Sequence, residues 1–216
     1  LSYAKRLEYV SYEEMMEMSA LGAGVLETRS VELAKNYDIP LYLGRTLSNV
    51  KGTWIMPRTE ILEKKAVTGV ALDTHMMHVT ISYPLPDNRL LTQLFTALDE
   101  GSVNVDMISQ IVNVEGLQLS FSIKDSDVQQ ISSILEELST TFDALDYKIN
   151  EAYVKISLIG SGMRDMSGVA SKAFITLINS NIPFYQTTTS EISISYVIDA
   201  ENGNKAVEVL YDAFDI

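Results

Sequence analysis

The chain has 216 residues, of which 46% are hydrophobic, and its 29 Asp and Glu against 16 Lys and Arg give a formal net charge of −13. This acidity argues against nucleic acid as a partner, because binding to phosphates needs clustered basic side chains. The absence of Cys excludes disulfides, thiol catalysis and Cys-ligated metals, and no apolar run approaches the ~18 residues that span a bilayer, so we expect a cytoplasmic protein without a membrane partner.

Residues 1–58 are predicted to hold two helices and two short strands. Ser11 and Glu14 have the spacing of a capping box, which predicts a short helix directly after Ser11. Thr28 or Ser30 is predicted to cap a second helix, and two strands follow, the later one at Thr53–Ile55. The segment has α/β character without a complete sheet, so we interpret it as the tail of a larger α/β domain.

The pattern strand, turn, helix, strand, hairpin, strand occurs twice, first from His78 and again from Tyr153. Anchors in the helix and second strand match at an offset of 79 residues: Phe95, Leu98, Val103 and Val105 with Phe174, Leu177, Ile182 and Phe184. The outer strands match at an offset of 75, as Ile81 does with Ile156. Insertions confined to turns are typical of a duplicated unit, and the long repeat predicts two small domains, the first and second copies.

The second copy is predicted to be one strand short. The first copy continues into a helix over 127–138 and a fourth strand near 147–149, whereas the second copy has its last helix over 205–214 and no strand after it. The apolar segment from Val67 to Leu72 is predicted to supply the missing strand, since an unpaired edge is a liability. The predicted domains are therefore 1–58, a linker over 59–66, the first copy over 75–150, and the second copy over 67–74 plus 151–216.

The motifs typical of nucleotide or metal chemistry are incomplete. Gly160-Ser161-Gly162 follows a strand, but Asp165 stands where a dinucleotide motif has Gly, and no Gly-Lys-Ser/Thr follows, so we interpret a tight strand–helix turn. His75 and His78 are the only His, and two half-exposed side chains at a strand end are favoured over a metal pair. We therefore predict no catalytic residue and no metal site.

Two features favour a free amino acid as ligand. Gly168 is predicted to open a helix, and the bare N–H groups of a helix N-terminus favour a carboxylate. Asp106 and Gln110 in the first copy, and the hydroxyls beside Glu191 in the second, could hold an ammonium group. Ordinary polar decoration of edge strands stays open as the alternative.

The motifs, taken in order, resemble those of the aspartokinase family. S-Y-E-E, L-G-A-G-V-L-E-T-R and G-T-W-I resemble the end of its amino-acid-kinase domain, while N-V-D-M-I-S-Q, G-S-G-M-R, G-V-A-S-K-A-F and T-S-E-I resemble its tandem ACT domains. The resemblance covers nearly the whole chain. It implies an α+β fold of tandem ferredoxin-like βαββαβ ACT domains, one inserted in the other, preceded by the α/β tail of the kinase domain.

Aspartokinases phosphorylate the side-chain carboxylate of L-aspartate with ATP, which opens the route to lysine, threonine and methionine. The resemblance implies that this chain is the regulatory region and that it is inactive alone, with no cofactor of its own, because ATP and Mg would belong to the missing kinase domain. The implied partners are lysine or threonine as feedback effector, a second copy of the chain bound through the ACT domains, and the kinase domain of the full-length enzyme.

The resemblance also implies an effector site in each copy. The implied effector-binding residues are Asp87, Leu90, Asn104, Val105, Asp106 and Gln110 in the first copy, and Met163, Gly168, Thr189, Ser190 and Glu191 in the second. Backbone N–H groups near Leu90 and Gly168 would take the ligand carboxylate. The family's first turn usually reads D-x-P-G, but here it is Asp87-Asn88-Arg89-Leu90. An ACT dimerisation module that no longer binds an effector is therefore the alternative, and a stand-alone amino-acid sensor is disfavoured because it gives residues 1–56 no purpose.

Overall fold

The structure is a computed structural model that describes residues 4–60 and 65–216. Its strands are β1 (Tyr9–Ser11), β2 (Leu41–Leu43), β3 (Thr53–Met56), β4 (Gly69–Asp73), β5 (Met76–Tyr83), β6 (Asp106–Asn113), β7 (Gly116–Lys124), β8 (Asp146–Asn150), β9 (Tyr153–Ile159), β10 (Phe184–Thr189) and β11 (Ser193–Asp199). Its α-helices are α1 (Tyr12–Met18), α2 (Thr28–Asn36), α3 (Asn88–Glu100), α4 (Val128–Thr141), α5 (Val169–Asn179) and α6 (Gly203–Phe214).

The chain divides into two compact units. One contains the described residues up to Asp73 together with Lys155–Ile216, and the other is Thr74–Val154, which is the first copy. Residues 61–64 of the linker predicted over 59–66 lie outside the described residues, and the other domain boundaries stay predictions. In the part of the chain that the structure describes, no helix is long and apolar enough to cross a membrane.

The tail builds a small sheet in the order β1-β3-β2, with α1 and α2 packed on it around Val10, Val31 and Ile55. The capping box is confirmed: Ser11 Oγ accepts the Glu14 N–H at 3.2 Å, and Glu14 Oε2 accepts the Ser11 N–H at 3.0 Å. The predicted second helix is confirmed as α2, but the prediction of its cap is wrong, because the N-cap residue is Glu27, whose side chain makes no capping bond. Strand β1, which directly precedes the capped helix, was not predicted.

The first copy is a complete βαββαβ unit. Its antiparallel sheet has the order β6-β7-β5-β8, with β5 pairing both β7 and β8. Helices α3 and α4 bury their apolar stripes in one core with the inward residues of the sheet, including Leu94, Phe121 and Leu135. Burial of such stripes is the main force that holds helices on a sheet.

The second copy repeats this arrangement with a strand taken from earlier in the chain. Its sheet has the order β10-β11-β9-β4, and β4 pairs antiparallel with β9 from Gly69 opposite Ile159 to Asp73 opposite Lys155. Strand β4 therefore occupies the place that β8 has in the first copy. Since β4 precedes the first copy and β9 follows it, one βαββαβ unit is inserted in the other, as the fold prediction required.

In the last strand of the second copy, Ser193 and Ser195 alternate with Ile194 and Tyr196, and this pattern predicts a strand with one solvated face. The prediction is wrong for β11. Ser193 and Ser195 are only 6% and 5% exposed, and Ser195 Oγ lies 2.8 Å from Ser157 Oγ of the neighbouring strand. The tail reaches this face, since Ser193 Oγ donates to Glu17 of α1. Small hydroxyls that pair with one another tolerate burial, which is why a polar stripe resembled a solvent-facing one.

Candidate functional site

A cavity of about 510 Å³ lies between the Gly-rich turn after β9, the start of α5 and the β10–β11 hairpin. All five residues proposed for the second copy line it, namely Met163, Gly168, Thr189, Ser190 and Glu191. They come from segments more than twenty residues apart, and the fold brings them to one place. Their role in binding an effector stays a prediction.

The N-terminus of α5 opens into this cavity. Its N-cap residue is Gly168, with φ of +90°, and no side chain caps the helix. A Cβ atom built on Gly168 would meet no other atom within 4 Å, so the turn leaves space in front of the first helical N–H groups. Such a helix end carries partial positive charge and bare donors, which suit a carboxylate.

The rim of the cavity carries one charge of each sign. Arg164 donates to Glu191 at 2.7 Å, and the side chains are 44% and 74% exposed, so the pair contributes little to stability. Sequence reasoning included Glu191 but missed Arg164, although it stands in the G-S-G-M-R motif beside Met163. The apolar part of the lining includes Val169 and Ile194. A small zwitterion with an aliphatic portion has complements for all its groups here.

The hairpin side of the cavity is held by Ser190. Its Oγ accepts the N–H groups of Ile192 at 3.2 Å and Ser193 at 3.0 Å, and the Ser190 N–H donates to the Ser193 carbonyl at 2.8 Å. These bonds form a tight local turn of the kind that Ser side chains stabilise. The backbone that carries Thr189 and Glu191 is thereby fixed next to the cavity.

The first copy treats the equivalent helix end differently. Asp87 is the N-cap residue of α3, and its carboxylate accepts the Arg89 N–H at 2.9 Å and pairs with the Arg89 guanidinium at 2.6 Å. The hydrogen bond from the Arg89 side chain is the main cause that lowers the pKa of the Asp87 carboxyl. Leu90 is buried at 1% exposure. The chain's own carboxylate therefore occupies the position where a ligand carboxylate was expected.

The other candidates of the first copy lie along β6 and the residues just before it. Asn104, Asp106 and Gln110 are exposed, and Val105 is half-buried against the core of the first copy. A bulge at Met107, with φ of +50°, shifts the register of β6 between Asp106 and Ser109. Whether these residues contact a ligand stays a prediction.

The two His do not form the half-exposed pair that the sequence suggested. His75 is exposed and lies 3.0 Å from Asp125, whereas His78 is buried and stacks edge-on against Tyr153 at 5.5 Å between ring centroids. Among the described residues, no group of three or more His, Asp or Glu is placed to hold a metal ion.

Comparison with known proteins assigns the family. The ACT domain family matches residues 156–214. A crystal structure of aspartokinase alpha and beta subunits is 31% identical, and the match covers 69% of this chain and 99% of that one with a TM-score of 0.62. This chain belongs to the aspartokinase family. Within it, the chain is the regulatory region with its ACT domains, preceded by the end of the kinase domain.

Longer relatives match almost all of the chain. Aspartokinase 2 of Bacillus subtilis is 36% identical over 213 residues, which is 99% of this chain and 52% of the relative. Escherichia coli aspartokinase III, solved in complex with lysine and aspartate in its T state, shares the fold with a TM-score of 0.75 at 20% identity, covering 99% of this chain and 47% of that one. The chain thus spans about half the length of the curated relatives it matches.

Proposed function

We propose that the cavity at the start of α5 binds an amino-acid effector, lysine or threonine, and that this region carries allosteric feedback inhibition of an aspartate kinase. The observation that carries the proposal is the uncapped helix end at Gly168, which opens into a cavity with Arg164 and Glu191 on its rim. Anion-binding backbone, one cation and one anion within one small cavity match the charge pattern of a free amino acid.

The proposed pose assigns each ligand group to a feature of the cavity. The α-carboxylate faces the first N–H groups of α5, with Arg164 nearby. An ammonium group pairs with the Glu191 carboxylate, and the hydroxyl of Thr189 is a further acceptor there. The aliphatic part of the ligand packs on Met163. Ligand binding therefore competes with the Arg164–Glu191 pair.

The relatives make lysine the first ligand to test. Escherichia coli aspartokinase III is solved with lysine and aspartate, and it shares this fold. For the whole enzyme we propose ATP-dependent phosphorylation of L-aspartate to 4-phospho-L-aspartate, with ATP and Mg held by the kinase domain and none by this region. Pairing of two chains through their ACT domains and a cytoplasmic location complete the proposal.

Feedback inhibition requires more than binding. A ligand shifts an equilibrium between active and inactive arrangements only by the difference in its affinity for the two. The effector must therefore change a contact that connects the residues of the cavity to the rest of the protein.

Isothermal calorimetry with L-lysine and, separately, L-threonine tests the proposal. We expect heat with one of them, and a Kd raised at least about tenfold in Glu191→Gln, since a bond to a charged group is lost. Glu136→Gln, which changes an exposed carboxylate on α4 of the first copy, is the matched control, and it should keep the wild-type Kd. If folded wild-type protein gives no heat with either ligand, the effector proposal fails.

A dimerisation module without effector is the second candidate, and the Asp87–Arg89 pair favours it for the first copy. Sedimentation of the same samples separates the two functions. A dimer that gives no heat with either ligand supports assembly alone, whereas ligand binding that is lost in Glu191→Gln supports the effector site of the second copy.

A further inference from the structure

We propose that Ser193 and Glu17 couple the cavity of the second copy to helix α1 of the kinase-domain tail. A ligand that accepts the hydrogen bond of the Ser190 hydroxyl weakens the Ser193–Glu17 bond, which connects the β10–β11 hairpin to that helix. The inference rests on the proposed function of the cavity. The contacts described below would transmit ligand binding in the cavity to α1. The route lies within the unit that contains the tail and the second copy.

Three side chains form a hydrogen-bonded relay with a fixed direction. Ser193 Oγ donates to Glu17 Oε1 at 2.6 Å, and Ser190 Oγ lies 2.8 Å from Ser193 Oγ. A carboxylate only accepts hydrogen bonds, so the single Ser193 proton points to Glu17. The Ser190 proton must then point to Ser193, and the relay runs from the cavity to the tail.

Ser190 has only its proton to offer a ligand. Its Oγ already accepts the N–H groups of Ile192 and Ser193, which uses its acceptor capacity. A ligand oxygen that binds Ser190 must therefore accept the hydrogen bond that the Ser190 hydroxyl now donates to Ser193. Bonds in such a chain strengthen one another, so loss of the first weakens the Ser193–Glu17 bond as well.

A second carboxylate holds the start of the same helix firmly. Glu14 is 3% exposed, and its Oε1 accepts the Ser161 N–H at 2.8 Å with Thr68 Oγ1 3.1 Å away. Its Oε2 accepts hydrogen bonds from the N–H and the hydroxyl of Ser11 at 3.0 and 2.8 Å. Glu14 is thus a buried acceptor surrounded by donors, and it anchors α1 to the turn that carries Met163.

Glu17 is the adjustable contact. It stands three residues after Glu14, on the same side of α1, and it is only half-buried. Directly after α1 the chain makes a π-helical turn, Ser19–Ala23, in which Gly22 has φ of +108° and leaves helical geometry. With Glu14 fixed and this break at the other end, release of Glu17 frees the last turn of α1.

The proposal predicts that removing one side chain of the relay strengthens ligand binding. If the ligand competes with Ser193 for the Ser190 proton, Ser193→Ala removes the competitor and should tighten binding about fivefold to tenfold. Glu17→Gln should tighten binding less, because a neutral amide oxygen still accepts the bond. A residue that only supports the hairpin would weaken binding or leave it unchanged when removed.

Calorimetry with L-lysine and L-threonine on wild type, Ser193→Ala and Glu17→Gln measures this sign, with the exposed Glu32→Gln on α2 as the matched control. Hydrogen exchange of the α1 amides with and without the same ligands is the second readout. We expect saturating ligand to speed exchange of α1 in wild type about fivefold, with little further change in Ser193→Ala.

The outcomes separate this inference from the proposed function. Ligand binding with no change in α1 exchange, and with weaker or equal affinity in Ser193→Ala, overturns the coupling and leaves the effector site standing. Absence of binding by wild type overturns both. If circular dichroism shows that Ser193→Ala does not fold, the affinity of Glu17→Gln and the hydrogen exchange of wild-type α1 decide the question. Tighter binding and faster exchange support the coupling, whereas the absence of both changes overturns it.

Discussion

The two ACT copies share a topology and differ at the start of their first helix. In the first copy, Asp87 and Arg89 fill the space in front of α3 with an internal ion pair. In the second copy, Gly168 leaves the same end of α5 uncapped and open to a cavity. The comparison teaches that the residues of the turn decide whether the chain's own carboxylate closes the helix end or the end stays open, and the open end is where we propose that a ligand carboxylate binds.

The copies also differ in the backbone donor that the turn after their first strand can offer. Ser161 of the second copy gives its N–H to the buried carboxylate of Glu14. At the offset of 75 residues that relates the outer strands, the first copy has Pro86, which has no N–H to give. Only the second copy can therefore be tied to a carboxylate at this point of its turn.

The largest expected effect comes from cutting that tie. Glu14→Gln replaces a carboxylate that accepts on both oxygens by an amide whose NH₂ must face a donor. We expect the free energy of unfolding of the unit to fall by about 2–4 kcal/mol, measured by urea denaturation.

Glu13→Gln is the matched control for this variant. Glu13 lies next to Glu14 on α1 and pairs with Lys35 at 2.9 Å on a more exposed face. Its substitution should cost less than about 1 kcal/mol. Equal losses in the two variants would contradict the anchoring role of Glu14.

A smaller effect is expected from making the core of the second copy resemble that of the first. Tyr196 occupies the position of Phe121 at the same offset, packs edge-on against Phe174 and Phe184, and its buried hydroxyl has no hydrogen-bond partner among the described residues. Burial raises the pKa of Tyr196 to about 12. Tyr196→Phe should be nearly neutral or slightly stabilising at pH 7, because it removes an unsatisfied hydroxyl.

The difference in the free energy of unfolding between wild type and Tyr196→Phe should grow at alkaline pH. The unfolded chain loses the Tyr proton near pH 10, whereas the folded protein keeps it to about pH 12, so Tyr196 penalises folding as the pH rises through this window. Stability curves of wild type and Tyr196→Phe should therefore separate above pH 10, by about 2 kcal/mol near pH 12. Parallel curves would show that Tyr196 is not the group responsible.

The smallest effect is expected from emptying the helix end of the first copy. Asp87→Ala removes the N-cap side chain of α3 and should lower the melting temperature by ~2–4 °C at neutral pH. Because the Arg89 contact lowers the pKa of Asp87, the capping contribution is complete above the ordinary Asp value and is lost as the pH falls through the lowered one. The difference between wild type and variant should therefore shrink in acid.

Asp99→Ala is the control for that experiment. Asp99 lies in the last turn of the same helix, where a negative charge is unfavourable, so its removal should not lower the melting temperature. A loss as large as that of Asp87→Ala would point to a general effect of charge on α3.

Much of the architecture could be predicted because its signals are local. The capping box at Ser11 and Glu14 needs only four residues, and the duplicated pattern predicted the fourth strand from the segment before the first copy. The cap of α2 could not be chosen between neighbouring hydroxyls, because helix starts depend on backbone geometry that the residues do not specify. The prediction of a solvated face on β11 was wrong because period-2 alternation does not reveal which other elements cover that face of the sheet.

The candidate site was predictable in part. The repeat and the family motifs selected five residues that line one cavity, but Arg164 on its rim carried no signal of its own beyond its place in a turn. Equivalent motifs in the first copy led to Asp87 as a ligand contact, whereas the structure shows it engaged with Arg89. Side chains two residues apart can satisfy one another or a ligand, and sequence spacing does not decide which.

By itself, the sequence determined the family, the α+β class, the duplication and the insertion of one copy in the other, since these depend on hydrophobic periodicity and on motif order along the chain. Only the tertiary structure decided that the polar face of β11 is covered, that the helix end at Gly168 is open while that at Asn88 is closed, and that Glu14 and Glu17 reach the segments around the cavity. Those outcomes depend on contacts between residues far apart in the chain, whose burial and hydrogen-bond partners exist only after folding.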